Sequence, residues 1–183
     1  MCVLDVSWGE MVVSTSPLTA SATGPAALVL EPYVCPLATK DTDIVSPFGQ
    51  RDVLAVSTAP VSGVPKSEMH EGIDYSANLG TEVRAARSGK VLFTGFSKSY
   101  VSRADKTVQS RLVIIRHADG QSSRYVHLGA FRVRPGQDVR AGQVIGVVAA
   151  SDEWVAPVLH FEIRNIQGQA IDPETLITEV DKP

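Results

Sequence analysis

From Ser46 onward the chain runs in short β-branched stretches, each stopped within a few residues by Gly, Asp-Gly or Pro-Gly, and no segment sustains a helical period. Backbone that reverses so often cannot build helices of ordinary length. Its amides must be satisfied by strand pairing, and the expected class is all-β with many turns. The strand candidates are Glu82 to Ala86, Gly89 to Gly95, Arg111 to His117, Ser122 to His127, Asp138 to Val139, Gln143 to Ala149 and Val158 to Arg164. Ala118-Asp119-Gly120 reads as a hairpin turn and Arg134-Pro135-Gly136 as a tight reversal. The polar stretch Ser97 to Ser110 reads as the one long loop, and His117 as an exposed strand-end residue.

The chain has 183 residues, 44% of them hydrophobic, enough for one domain with a real core. Residues 1–42, rich in Ser, Thr, Ala and Pro, read as an N-terminal extension or linker, 43–178 as the domain and 179–183 as a tail. Seventeen Lys and Arg against twenty Asp and Glu give a net charge of -3, with no basic run interleaved with aromatics; no nucleic-acid partner is expected. The longest apolar runs, such as Ala26 to Leu30, fall well short of the ~20 residues of a membrane-spanning helix. The first basic residue is Lys40, and Asp5 and Glu10 interrupt the early segment, so no export signal is read. Cys2 and Cys35 form no C-x-x-C pair; one disulfide and two separate thiols both fit their spacing.

Two segments echo one another: Ser88-Gly89-Lys90-Val91-Leu92 and Ala141-Gly142-Gln143-Val144-Ile145 share the pattern small-Gly-x-apolar-apolar. Biotinyl or lipoyl carrier barrels use similar steps, but neither Lys90 nor Lys98 has the setting of a modifiable lysine.

Three of the four histidines fall where a metal could draw them together. In His70-Glu71-Gly72-Ile73-Asp74 an unbroken strand would hold the end residues roughly 13 Å apart. A bend at Gly72 lets imidazole and carboxylate meet, and is preferred over a helix, where a central Gly costs about 1 kcal/mol. In Val158 to Ile163 strict alternation assigns Leu159, Phe161 and Ile163 to the core face and Val158, His160 and Glu162 to the other. His127 ends the stretch Arg124-Tyr125-Val126-His127 and is read as a strand-end residue. Taken singly, His70 with Asp74 also fits a surface histidine beside a solvated carboxylate, and His160 a satisfied strand histidine. Two imidazoles and one carboxylate, however, would leave a tetrahedral Zn2+ one open position, the arrangement of a catalytic site.

In order along the chain, Ser46-Pro47-Phe48-Gly49-Gln50-Arg51, His70-Glu71-Gly72-Ile73-Asp74, Gly89-Lys90-Val91, Tyr125-Val126-His127-Leu128, Val139 to Gly146, Leu159 to Arg164 and Asp172-Pro173 resemble the lysostaphin-like, LytM-type zinc metalloendopeptidases that cut peptidoglycan. The resemblance covers roughly residues 44–178. It implies a mostly antiparallel sandwich or half-barrel with a duplicated hybrid motif and an open groove. It further implies His70, Asp74 and His160 as Zn2+ ligands, His127 as a catalytic histidine, a peptidoglycan peptide as substrate, and a cell-envelope, extracytoplasmic location. Where the family carries a second catalytic histidine, two residues before the last ligand, this chain has Val158; Ala149, Asp152 and Ala156 replace usual glycines nearby. These departures imply either an impaired peptidase or a protein that binds peptidoglycan or activates another cell-wall hydrolase.

Overall fold

Alternation of small β-branched residues with frequent turns yields strands in chain order: β1 (Ile44–Ser46), β2 (Gly49–Asp52), β3 (Ser67–His70), β4 (Ile73–Ser76), β5 (Glu82–Arg84), β6 (Gly89–Val101), β7 (Thr107–Arg116), β8 (Ser122–Phe131), β9 (Asp138–Val139), β10 (Val144–Val148), β11 (Val158–Arg164) and β12 (Ala170–Ile171). The computed structural model describes residues 30–37, 42–52, 67–101, 107–149 and 156–178. Residues 1–29 and 38–41 of the expected 1–42 extension, residues 102–106 of the expected long loop, residues 150–155 of the expected 149–157 loop and the expected 179–183 tail lie outside them, as does Cys2. Among the described residues every strand pair is antiparallel, in one open ten-stranded sheet with the path β1-β4-β11-β8-β7-β6-β9 and a separate β2–β3 pair. The all-β antiparallel class is therefore as expected. No helix among the described residues is long and apolar enough to cross a membrane.

The centre of the sheet shows how one register builds both core and site. Across β7, β8, β11 and β4 the residues Val113, Tyr125, Phe161 and Ile73 stand side by side, all wholly buried. Burying side chains of this size contributes about 1.5–3 kcal/mol each. The next row, one residue along, faces the opposite way and reads Leu112, Val126, His160 and Asp74. A slip of one residue in any strand would exchange the rows, so the apolar row fixes the position of the polar one.

Two expectations are corrected. Ser97 to Ser110 is largely strand: β6 and β7 continue into it, with Ser97 paired to Ser110 and Val101 to Thr107. The described parts of the stretch are held by backbone pairing although the sequence there carries no apolar period. His117 is buried, because a chain of hydrogen bonds holds it. Its Nδ1 donates to the Ser88 carbonyl (2.9 Å), leaving Nε2 to accept from the Ser123 hydroxyl (3.0 Å); Tyr125 Oη lies 2.9 Å from Ser123 Oγ and accepts from the Ala86 amide at 2.7 Å. Burial pushes the His117 pKa down, keeping it neutral.

Residues 30–37 lie on the domain. Tyr33 pairs with Ile177 and Leu37 with Val83, and both side chains are core residues. Arg87 sits over the Tyr33 ring at 5.0 Å and pairs with Asp119 at 2.8 Å. The two echoing segments meet, the Ala141 amide donating to Ser88 Oγ at 3.0 Å.

Candidate metal centre

His70 closes β3 in the small sheet, and Asp74 lies in β4 of the large one. The chain changes sheets across Glu71-Gly72, so the expected bend is real and swings His70 over the face that carries Asp74 and His160. Gly72 is required by space. A Cβ there would stand 2.4 Å from the Phe161 carbonyl oxygen and 2.9 Å from His160 Cε1.

The three side chains converge. Asp74 Oδ1 is 2.7 Å from His160 Nδ1 and 3.3 Å from His70 Nε2, and the two ring nitrogens are 3.1 Å apart. All three residues are buried. Each imidazole has an acceptor on its outer side. The Pro47 carbonyl, 2.7 Å from His70 Nδ1, can only accept, so Nδ1 carries the proton and Nε2 turns its lone pair inward. His160 faces a carboxylate at each nitrogen, Asp74 Oδ1 at 2.7 Å from Nδ1 and Glu162 Oε1 at 3.3 Å from Nε2; with a metal in place of the Nδ1 proton, Glu162 would be the acceptor for the proton left on Nε2.

Asp74 is held well below the usual carboxylate range: burial opposes this, but the hydrogen bonds and charges of His160 and His70 outweigh it. Burial likewise opposes a charged His160, yet Asp74 and Glu162 push it up to about 9. Among the described residues Asp74 Oδ2 is buried with no hydrogen-bond partner, and the Arg51 guanidinium stands 3.8 Å from it. The donor set fits a divalent cation. A tetrahedral ion with bonds of ~2.0–2.1 Å spaces its ligands about 3.3 Å apart, close to the spacings seen, and imidazole with carboxylate suits Zn2+.

His127 lies near this cluster, its ring 6.4 Å from that of His160. It is not at a strand end. Arg111 pairs with Leu128 and Leu112 with Val126, so His127 is the extra residue of a β-bulge within β8. It is the one non-glycine residue with positive φ (66°) among those described. Such backbone is uncommon for a side chain and concentrates at functional sites. Ser110 Oγ lies 3.0 Å from its Nδ1. Burial, aided by the charge of His160, pushes its pKa down to about 4, so this imidazole is neutral near pH 7. Val158 is buried on the His160 face, opposite Ser76. Sequence reading gave no role to Ser110 or Arg164, and noted Glu162 only for its face; the alternation of β11 was the one signal that could have linked Glu162 to His160.

A family described as "Peptidase family M23" matches residues 68–173. "DD-carboxypeptidase/endopeptidase Mpg" of Neisseria meningitidis serogroup B is 37% identical over 147 residues, 77% of this chain and 30% of the relative. "Murein hydrolase activator EnvC" of Escherichia coli K12 is 35% identical over 104 residues, 57% of this chain and 22% of the relative. The chain thus spans about a third or less of these relatives. Among solved structures, a zinc-containing peptidase from Vibrio cholerae superposes with a TM-score of 0.59 at 25% identity, over 78% of this chain and 39% of that one. The catalytic domain of lysostaphin from Staphylococcus simulans gives 0.53 at 27% identity, over 73% and 89%.

Proposed function

The chain belongs to peptidase family M23, and on that premise we propose that it is a zinc-dependent metalloendopeptidase of the cell envelope that hydrolyses peptide bonds in peptidoglycan. The observation that carries the reading is the convergence of His70 Nε2, Asp74 Oδ1 and His160 Nδ1, with an outer acceptor on the far nitrogen of each imidazole. These residues would hold Zn2+. When bound, the ion supplies Lewis acidity toward a carbonyl and lowers the pKa of water. His127, kept neutral by burial, offers a hydrogen bond to the oxygen that becomes negative at the cleaved carbonyl. Its Nδ1 is engaged by Ser110, which orients the ring. Val158 can neither donate a hydrogen bond nor take a proton.

The test is incubation of zinc-loaded protein with peptidoglycan of several cross-bridge and stem compositions, with new amino termini identified by mass spectrometry. Cleavage abolished by Asp74→Ala is expected; no product from any wall type, with metal bound, refutes the reading. Val158 and the relative named as a hydrolase activator support a second reading, in which the domain stimulates another cell-wall hydrolase. Stimulation of such an enzyme by Asp74→Ala protein that itself cuts nothing would favour it.

A further inference from the structure

The segments that bear the donors are joined a second time, outside the donor cluster. Arg164, at the end of β11, directs Nε to Glu162 Oε2 at 2.6 Å and a terminal nitrogen to Glu71 Oε2 at 2.5 Å. Glu71 directly follows His70 in the bend between sheets. Glu162 turns its other oxygen to His160 Nε2. A third nitrogen of Arg164 donates to the Gly168 carbonyl at 2.9 Å, in the turn after β11, and so steadies the guanidinium. The Arg164 and Glu162 side chains are largely buried, at 13% and 11% exposure, while Glu71 is at the rim.

We propose that Arg164 and Glu162 are positioning residues for the metal, forming a strap that runs from Glu71 through Arg164 and Glu162 to His160. His160 can present Nδ1 only while its proton stays on Nε2, and Glu162 is the acceptor that keeps it there. Arg124 stands 3.6 Å from the far oxygen of Glu162, beyond hydrogen-bond reach, whereas Arg164 donates to it at 2.6 Å and fixes it. Because the same planar guanidinium also grips Glu71 through a different nitrogen, it draws the His70 bend against β11 and sets the spacing of the two imidazoles. An ammonium group lacks that fixed fork and cannot hold both carboxylates in the same geometry. The strap rests on the reading of His70, Asp74 and His160 as metal ligands, and it concerns affinity and coordination geometry ahead of any reaction.

The experiment measures zinc affinity of the full chain by competition with a chromophoric chelator, with Co2+ visible absorption as a report on coordination geometry and thermal unfolding as a check on folding. Arg164→Lys and Glu162→Gln are each expected to weaken zinc binding by about 10- to 100-fold and to alter the Co2+ spectrum. Their combination is expected to cost little more than either alone, because they break one connected unit. Glu71→Gln, at the exposed rim, is the second variant should either buried change prevent folding, and it is expected to weaken binding several-fold. Folded variants that bind zinc within about twofold of the parent, with the parent Co2+ spectrum, overturn the strap. A parent that binds zinc but cleaves no peptidoglycan overturns the hydrolase reading alone, and a parent that binds no zinc overturns both.

Discussion

Replacing Gly72 with alanine probes the point on which the site depends, the close approach of the bend to β11. The added Cβ would lie 2.4 Å from the Phe161 carbonyl oxygen, 2.9 Å from His160 Cε1 and 3.0 Å from Glu162 Cγ. Side-chain carbons do not approach other heavy atoms within 3.0 Å, so the bend must retreat by about 0.6 Å or more. The carbonyl cannot yield instead, because Phe161 is paired on both sides, to Ile73 and to Tyr125. Overpacking of this kind costs about 1–3 kcal/mol, or roughly 2–12 °C in melting temperature for a domain of this size. The effect on the site is larger in proportion, since metal donors must be held within about 0.5 Å of their working positions. Gly72→Ala is therefore expected to lower zinc affinity at least tenfold as well as the melting temperature, both measured on the full chain. Gly136→Ala is the control: its φ of 83° makes alanine strained, but its surroundings are open and it lies in a turn away from the donors. It should lower the melting temperature without weakening metal binding. A Gly72→Ala protein with parental affinity and stability would refute the close-approach reasoning.

Three further outcomes follow from the same geometry. Val158→His places an imidazole on the His160 face and should raise turnover on peptidoglycan; an unchanged rate would contradict the assigned direction of that side chain. Ser110→Ala removes the partner of His127 Nδ1 and should lower kcat about tenfold with KM little changed, the worth of one hydrogen bond; a loss confined to KM would place Ser110 in substrate binding instead. His117 is kept neutral by burial, so the unfolded chain takes up a proton there below about pH 6.5 that the folded chain resists. Its contribution to stability is whole above that pH and is lost as pH falls through the depressed folded value. Denaturant titrations from pH 7 to 5 should therefore show a shallower fall for His117→Gln, and equal slopes would contradict the burial effect.

Where side-chain pattern and backbone geometry coincide, the sequence was readable. The alternation from Val158 to Arg164 told core from site face because a strand in the middle of a sheet has a period of two, and Gly72 betrayed the bend because the two donors flanking it could not otherwise meet. Polar strands were opaque for a physical reason. Gly49–Asp52 and the strand residues 97–101 and 107–110 owe their extended form to paired backbones, and carry no apolar pattern to reveal it. The burial of His117 depends on acceptors and donors in Ser88 and Ser123, and that of Tyr33 on Ile177 at the far end of the domain. The positive φ of His127 arises from a mismatch between two strands, which no single segment records. Glu162 was assigned to the right face, but its role became legible only with Arg164 and Glu71 beside it.

Metal content is the most direct measurement of the central claim. Purified full chain, exposed to excess zinc at neutral pH and then desalted, should retain one ion per chain by elemental analysis, and His70→Ala, Asp74→Ala and His160→Ala proteins that still fold should retain none. A parent chain that keeps no zinc, or a folded His160→Ala protein that keeps as much as the parent, would contradict the account.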